Sequence, residues 1–219
     1  MKLLMENWRE FISESNGMKT VDDLVNFVDE EFPEYQTDIY VLISHGEYGG
    51  VEFSYAAKDE DGVLYELGYN DAIKGKVHIT PMGPDDLADC AGAYQVKWAS
   101  ATKGWGPLLY DIAIEYATIH GNGLISDREE VSDKARPVWN HYLNKRGDVE
   151  SHQLDDTHNT LTPEEEDNCD QEIAGGQNYL YPKPPERVDP DWPKSALSKM
   201  YRKINDSMTK ELMALGKLV

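Results

Sequence analysis

The chain has 219 residues, 40% of them hydrophobic and 28% charged, with 41 acidic against 21 basic side chains and a formal net charge of -20. That length and apolar content suffice for one sizeable core with appendages. The charge repels phosphate backbones and no basic stripe interleaved with aromatics interrupts it, so nucleic-acid binding is disfavoured and a basic protein or amine suits the field better. No run is long and apolar enough to span a membrane. Cys90 and Cys169 lie far apart and outside any Cys-x-x-Cys pair, and the six histidines lack ligand spacing, so no metal site is expected and reduced thiols in a cytoplasm fit best.

In chain order, residues 1–14 place Leu4, Trp8, Phe11 and Ile12 on one helical face, and Ser15, Asn16 and Gly17 follow as a flexible break. The segment lacks the compact apolar core and small-residue cleavage site of a secretory leader. With its Met1-Lys2 start, its Trp8-Arg-Glu-Phe-Ile12 core and its Ile12-Ser-Glu14 cleavage motif, it resembles the capsid-targeting leaders of internal proteins in large tailed phages. That resemblance implies phage head proteins and a prohead protease as partners. An ordinary N-terminal helix docked by its Trp8 face is the alternative.

Val21 to Phe32 reads as an amphipathic helix with Val21, Leu24, Val25, Val28 and Phe32 inward, capped by Thr20-x-x-Asp23. The β-rich runs 39–44, 51–56, 63–67 and 77–80 follow, separated by turn chemistry at 46–50, 59–62 and 74–76. An antiparallel meander is expected.

The most telling stretch runs from 93 to 100, strand-like, through Thr102-Lys-Gly-Trp-Gly106 into a helix opened by Pro107. The first amides of a helix have no intrahelical acceptor and its dipole adds partial positive charge there, while glycines admit a phosphate closely. A phosphate-bearing ligand is therefore expected on the backbone of Lys103, Gly104, Trp105, Gly106, Pro107 and Leu108. The helix carries an apolar stripe of Leu108, Ile112, Tyr116 and Ile119 and stops at Gly121 and Gly123. Residues 123–126 form a short buried strand. A second helix follows, with Asp127 or Ser132 as N-cap and Ala135, Val138, Trp139 and Tyr142 inward; Pro137 implies a late start or a kink. Residues 148–154 make the next strand.

This order resembles the GNAT superfamily of N-acetyltransferases over roughly residues 39–155. Gly104-x-Gly106 is similar to the end of the family's Gln/Arg-x-x-Gly-x-Gly/Ala loop, with Ala101 where the basic or amide residue stands and Lys103 beside it. Ser132-x-x-Ala135-x-x-Val138-Trp139 is similar to the family's Asn-x-x-Ala-x-x-Leu-Tyr, which makes Ser132 a cofactor-loop residue. The resemblance implies a mixed, mainly antiparallel α/β sheet flanked by helices, acetyl-coenzyme A as cofactor, and an amine of a protein or small molecule as acceptor. Trp139 replaces the tyrosine that protonates the departing thiolate, and an indole N–H is no acid near neutral pH. Tyr142, three residues on, is the candidate catalytic acid. Glu66 and His78 lie on candidate strands, but nothing in the sequence places either as the base.

Residues 156–194 read as an acidic, proline-bearing connector, and 195–219 as a basic, partly helical tail with Leu197, Met200, Tyr201, Ile204, Met208, Leu212, Met213 and Leu215 on one face. The domain proper is 18–155. Two functions stay open: an acetyl-coenzyme A-dependent N-acetyltransferase, phage-encoded and packaged if the leader acts as such, or a noncatalytic virion-internal or host-interaction protein on the same fold.

Overall fold

A computed structural model describes residues 18–27, 38–68, 71–82, 92–127, 131, 135–155 and 192–219. The leader at 1–14, Val28, Phe32, Cys90, Ser132 and nearly all of the acidic connector lie outside them. Helix α1 (Val21–Val25) precedes strands β1 (Ile39–His45), β2 (Val51–Lys58), β3 (Leu64–Glu66), β4 (Gly75–Pro81) and β5 (Tyr94–Ala101). Helix α2 (Gly106–His120), β6 (Leu124–Ile125), α3 (Arg136–Lys145), β7 (Val149–Gln153), β8 (Lys199–Lys203) and α4 (Ser207–Ala214) complete the order. The strands run β1-β2-β4-β5-β6-β8-β7, with β3 on β2. β5 and β6 are parallel and the other registered pairs antiparallel, which gives the expected mixed, mostly antiparallel sheet with helices. No helix among the described residues is long and apolar enough to cross a membrane.

The chain divides into two compact units, one comprising Met1–Ile79, Trp98–Ala113 and Asp206–Val219, the other Thr80–Lys97 and Ile114–Asn205. In the first, β1 and β2 pair from Ile39 with Ala57 to His45 with Val51, and β2 pairs with β4 from Val51 with Ile79 to Ser54 with Lys76. Alternation turns Val51, Phe53, Tyr55, Gly75, Val77 and Ile79 to one face, all buried. A Cβ on Gly75 would lie 2.8 Å from the Tyr55 ring and 2.9 Å from Leu109, so α2 packs on that face too closely for a side chain there. At the outer edge, Val41 N–H donates to Lys217 O (2.8 Å) and Val219 N–H to Val41 O (2.9 Å). This C-terminal segment covers part of the β1 edge that would otherwise expose unpaired backbone groups. Thr20 caps α1 as read: Asp23 N–H reaches Thr20 Oγ1 at 3.3 Å and Thr20 N–H reaches Asp23 Oδ2 at 2.9 Å. The helix read as running to Phe32 instead ends at Val25, because Asn26 leaves helical geometry and caps it.

Next to the ends of β5, Met82 N–H bonds Ala93 O (2.9 Å) in the second unit and Thr102 N–H bonds Lys74 O (2.8 Å) in the first. Tyr94 faces α2, its ring 5.8 Å from that of Tyr116, whereas Trp98 lies against Lys76, whose neighbours Gly75 and Val77 occupy the α2 side.

In the second unit, β8 lies between β6 and β7, with Tyr201 opposite both Leu124 and Ser151. Tyr201 is fully buried, stacks on Trp139 of α3 at 5.3 Å and donates its hydroxyl to Ala196 O at 2.7 Å. Gly123, at φ 134°, sits where a Cβ would meet Tyr201 O at 2.7 Å, which is why a glycine ends this connection.

Four further expectations need correction. Lys199–Lys203 is a strand, not part of a helical tail, because Met200 and Tyr201 are both buried on opposite faces, a pattern a short apolar run leaves undecided. Ile204, Met213 and Leu215, read as inward, are exposed, and Leu212 is the buried residue of α4. α2 is buried all round from Gly106 to Glu115, so its inner side is no stripe, and Ile119 is exposed. α3 starts at Arg136 behind Ala135, with no side-chain cap from Asp127, since Pro137 fits only the first turn of a helix.

Beside β7 and β8, Asp148 takes a two-pronged bond from Arg146 (2.7 Å each) and a bond from the buried Lys203 ammonium (2.6 Å). The Arg146 hydrogen bonds, reinforced by Lys203, hold the Asp148 carboxyl well below the usual carboxylate range. A carboxylate held down stabilises the fold above its unfolded value of 3.8 and loses that contribution as pH falls towards the folded one. Asp148→Asn is expected to cost about 1–2 kcal/mol at neutral pH, since water screens the half-exposed carboxylate. Urea titrations should show the gap from wild type closing as pH drops below about 4. A gap that persists unchanged to pH 2 would exclude this ionic role.

Candidate functional site

The strand-turn-helix expected to hold an anion forms in the first unit. β5 ends at Ala101, Trp105 N–H closes the turn on Thr102 O at 3.0 Å, and Gly104 adopts φ 81°, a conformation that favours glycine. α2 then begins at Gly106 with Pro107 in its first turn, where a missing N–H costs nothing. Lys103 is exposed and Gly104 half-buried, while Trp105, Gly106, Pro107 and Leu108 are buried.

Three carbonyls of this loop are tied to donors within the chain. Thr102 O accepts from Trp105 N–H, Gly104 O from Lys19 N–H (3.1 Å) and Trp105 O from the Tyr55 hydroxyl (2.7 Å). The first-turn amides of Gly106 and Leu108 have no acceptor within the helix. These three carbonyls thus face the loop's supports, while the Thr102 amide is itself bonded to Lys74 O (2.8 Å). Burial and, after it, the Asp111 charge push the Tyr55 phenol far up, so it stays a neutral donor.

Trp105 anchors the loop. It is 5% exposed, and its ring meets Tyr55 edge-on at 5.5 Å and Phe27 at 5.9 Å, with the Lys19 ammonium 5.9 Å from its centre. Neither Tyr55 nor Lys19 was legible as a loop support, because each lies many positions away with no local signal. Lys74 joins them through its N–H to Thr102 Oγ1 (3.0 Å).

The remaining candidates stand elsewhere. Tyr142 belongs to the second unit, 2% exposed on α3, its ring 5.3 Å from the Arg146 guanidinium and 6.3 Å from Tyr201. Trp139 is 1% exposed and stacked on Tyr201, so it serves as packing there. Ser132 lies outside the described residues. Glu66 is bound to the Lys76 ammonium at 2.6 Å, which also holds Glu52 at 2.8 Å; His78 pairs with Glu52 across β2 and β4. Burial draws the Lys76 ammonium down, but the hydrogen bonds to Glu52 and Glu66 outweigh it and hold its pKa above the ordinary lysine value.

Tyr55→Phe should leave the buried Trp105 carbonyl without its donor and cost about 1–2 kcal/mol. Amide exchange should rise at 103–108 more than in β1 or β2; uniform exchange in both regions would show that the hydroxyl does not organise the loop. The chain matches no protein-family model, no curated protein and no solved structure.

Proposed function

We propose that residues 102–108 hold the pyrophosphate of acetyl-coenzyme A and that the protein passes the acetyl group to an amine of a protein or small molecule. The observation that carries this reading is the tethering of the loop carbonyls at Thr102, Gly104 and Trp105 beside the positive end of a fifteen-residue helix, whose first-turn amides have no acceptor within the helix. The loop follows the carboxyl end of β5, which is parallel to β6 and joined to it through α2, and ligands of such sheets bind beyond those strand ends. Among the described residues the parallel ladder joins Tyr94 to Leu124 and Gln95 to Ile125, and β5 continues to Ala101.

In the reaction the amine nitrogen attacks the thioester carbonyl carbon, the C–N bond forms and the C–S bond breaks. The amine proton leaves to a base or water, and the departing thiolate takes up a proton. Lys103, and Lys19 beside the loop, supply positive charge that Ala101 does not. Ser132 is the further cofactor-loop residue implied by the GNAT resemblance.

A second reading, a noncatalytic packaged or host-interaction protein, is favoured by Trp139, since a stacked, buried indole replaces the family's acid. Calorimetry with acetyl-coenzyme A separates the two. Wild type should bind and Gly106→Asp should not, because its carboxylate would stand where the phosphate does; equal affinities would remove the cradle. Wild type that binds but never turns over across an amine panel would select the noncatalytic reading.

The leader reading rests on residues 1–14 alone and implies a host cytoplasm and a virion interior as locations. Protein from purified particles should begin at Ser15 by N-terminal sequencing; a start at Met1 would return the segment to an ordinary docked helix.

A further inference from the structure

The first unit has a second polar feature, on the sheet face turned away from α2. Register puts Glu52, Ser54 and Ala56 of β2 on that face, with Lys76 opposite Ser54 and Glu66 opposite Ala56. The Lys76 ammonium bridges Glu52 Oε1 and Glu66 Oε1 and lies 5.9 Å from the centre of the Trp98 ring. Trp98 is 44% exposed, so part of its ring is accessible beside these charges. Ser54, directly across from Lys76, is 1% exposed and its hydroxyl has no partner among the described residues. A buried hydroxyl left unmatched calls for an explanation.

Two carboxylates share the Lys76 ammonium, and the same register puts His78 opposite Glu52 and Lys58 two positions beyond Ala56 on this face. Each carboxylate has about four acceptor sites, of which Lys76 uses few. Anionic oxygens beside an open indole face form the pairing that recognises an organic cation, with the ring taking the alkyl stem and the positive head together. The chain's own Lys76 shows that a primary ammonium fits between these groups.

The geometry points to a binding site for a singly charged primary alkylammonium on this face, made by Glu52, Glu66 and Trp98, with Lys76 as its internal competitor and Ser54 Oγ as a further acceptor. That the bound amine is the acetyl acceptor rests on the preceding reading; that it binds does not. The chain-wide charge of -20 raises the local concentration of such a cation.

The test titrates the full chain with pentylammonium chloride and, in parallel, with 1-pentanol as a neutral probe of similar shape, by calorimetry. Wild type is expected to bind the ammonium and not the alcohol. Trp98→Ala should weaken binding roughly 2- to 5-fold, and Glu66→Gln should weaken it as well. Lys76→Met, which removes the competitor, should tighten it, a gain that a purely structural ion pair would not produce. Melting curves establish that each variant is folded; if Lys76→Met is not, Glu66→Gln and Trp98→Ala decide. Equal binding of alcohol and ammonium, no ammonium binding by wild type, or unchanged affinity in both Glu66→Gln and Trp98→Ala would overturn the proposal. Coenzyme A is titrated separately: ammonium binding without it removes acetyl transfer and leaves this face standing, whereas coenzyme A binding with no ammonium binding overturns this inference alone.

Discussion

The contact between the Tyr55 hydroxyl and the Trp105 carbonyl fixes more of the first unit than any other. It joins the middle of a central strand to the turn before α2, at 2.7 Å and out of water, where a missed hydrogen bond would leave a buried carbonyl unsatisfied. Tyr55 can reach that turn because Gly75, its neighbour on β4, has no side chain and lets Leu109 of α2 come close. The same ring packs edge-on against the Trp105 indole, so one tyrosine sets both the position and the backbone orientation of the turn. With Trp105 held, Gly104 is forced into a left-handed conformation and the first amides of α2 are left without a partner in the helix.

The two faces of these strands divide the work. On the α2 side, Val51, Phe53, Val77 and Ile79 are each at most 1% exposed, and burial of such side chains contributes about 1.5–3 kcal/mol apiece. The opposite face carries Glu52, Glu66, Lys76 and Trp98, whose partly exposed charges contribute little to stability. A strand pair that packs on one side and keeps charge on the other is where an antiparallel sheet can hold polar chemistry without unfolding itself.

The second unit is organised by shape around one aromatic. Tyr201 stacks on Trp139, donates to Ala196 O and faces Gly123 closely enough to exclude a Cβ. Burial pushes its phenol far above the ordinary tyrosine value, so it remains a neutral donor and a piece of core. The Asp148 bonds to Arg146 and Lys203 tie the beginning of β7 to the end of β8 in the same unit. Together they explain why a segment so distant in sequence can insert as an interior strand.

Local signals settled what lies close along the chain. The Thr20 capping box, the strands at Ile39–His45 and Val51–Lys58, the Gly104 turn and the inward Val138, Trp139 and Tyr142 all follow from neighbour-to-neighbour chemistry, and each was legible. The turn read at 74–76 was not, since Gly75 and Lys76 already belong to β4, and β3 and β4 both pair with β2 where a meander would pair them with each other. Lys199–Lys203 was not, because five residues with two adjacent apolar side chains fit a helix or a doubly buried strand, and only the neighbours β6 and β7 select the strand. The strip from Leu108 to Ile119 misled in the same way: periodicity describes one covered side, but surrounding elements bury α2 on every side as far as Glu115. The sequence alone thus determined the Gly104 turn between β5 and α2. Tertiary structure decided which way its carbonyls point, because the groups that turn them, Lys19 and Tyr55, act through contacts that no spacing along the chain records.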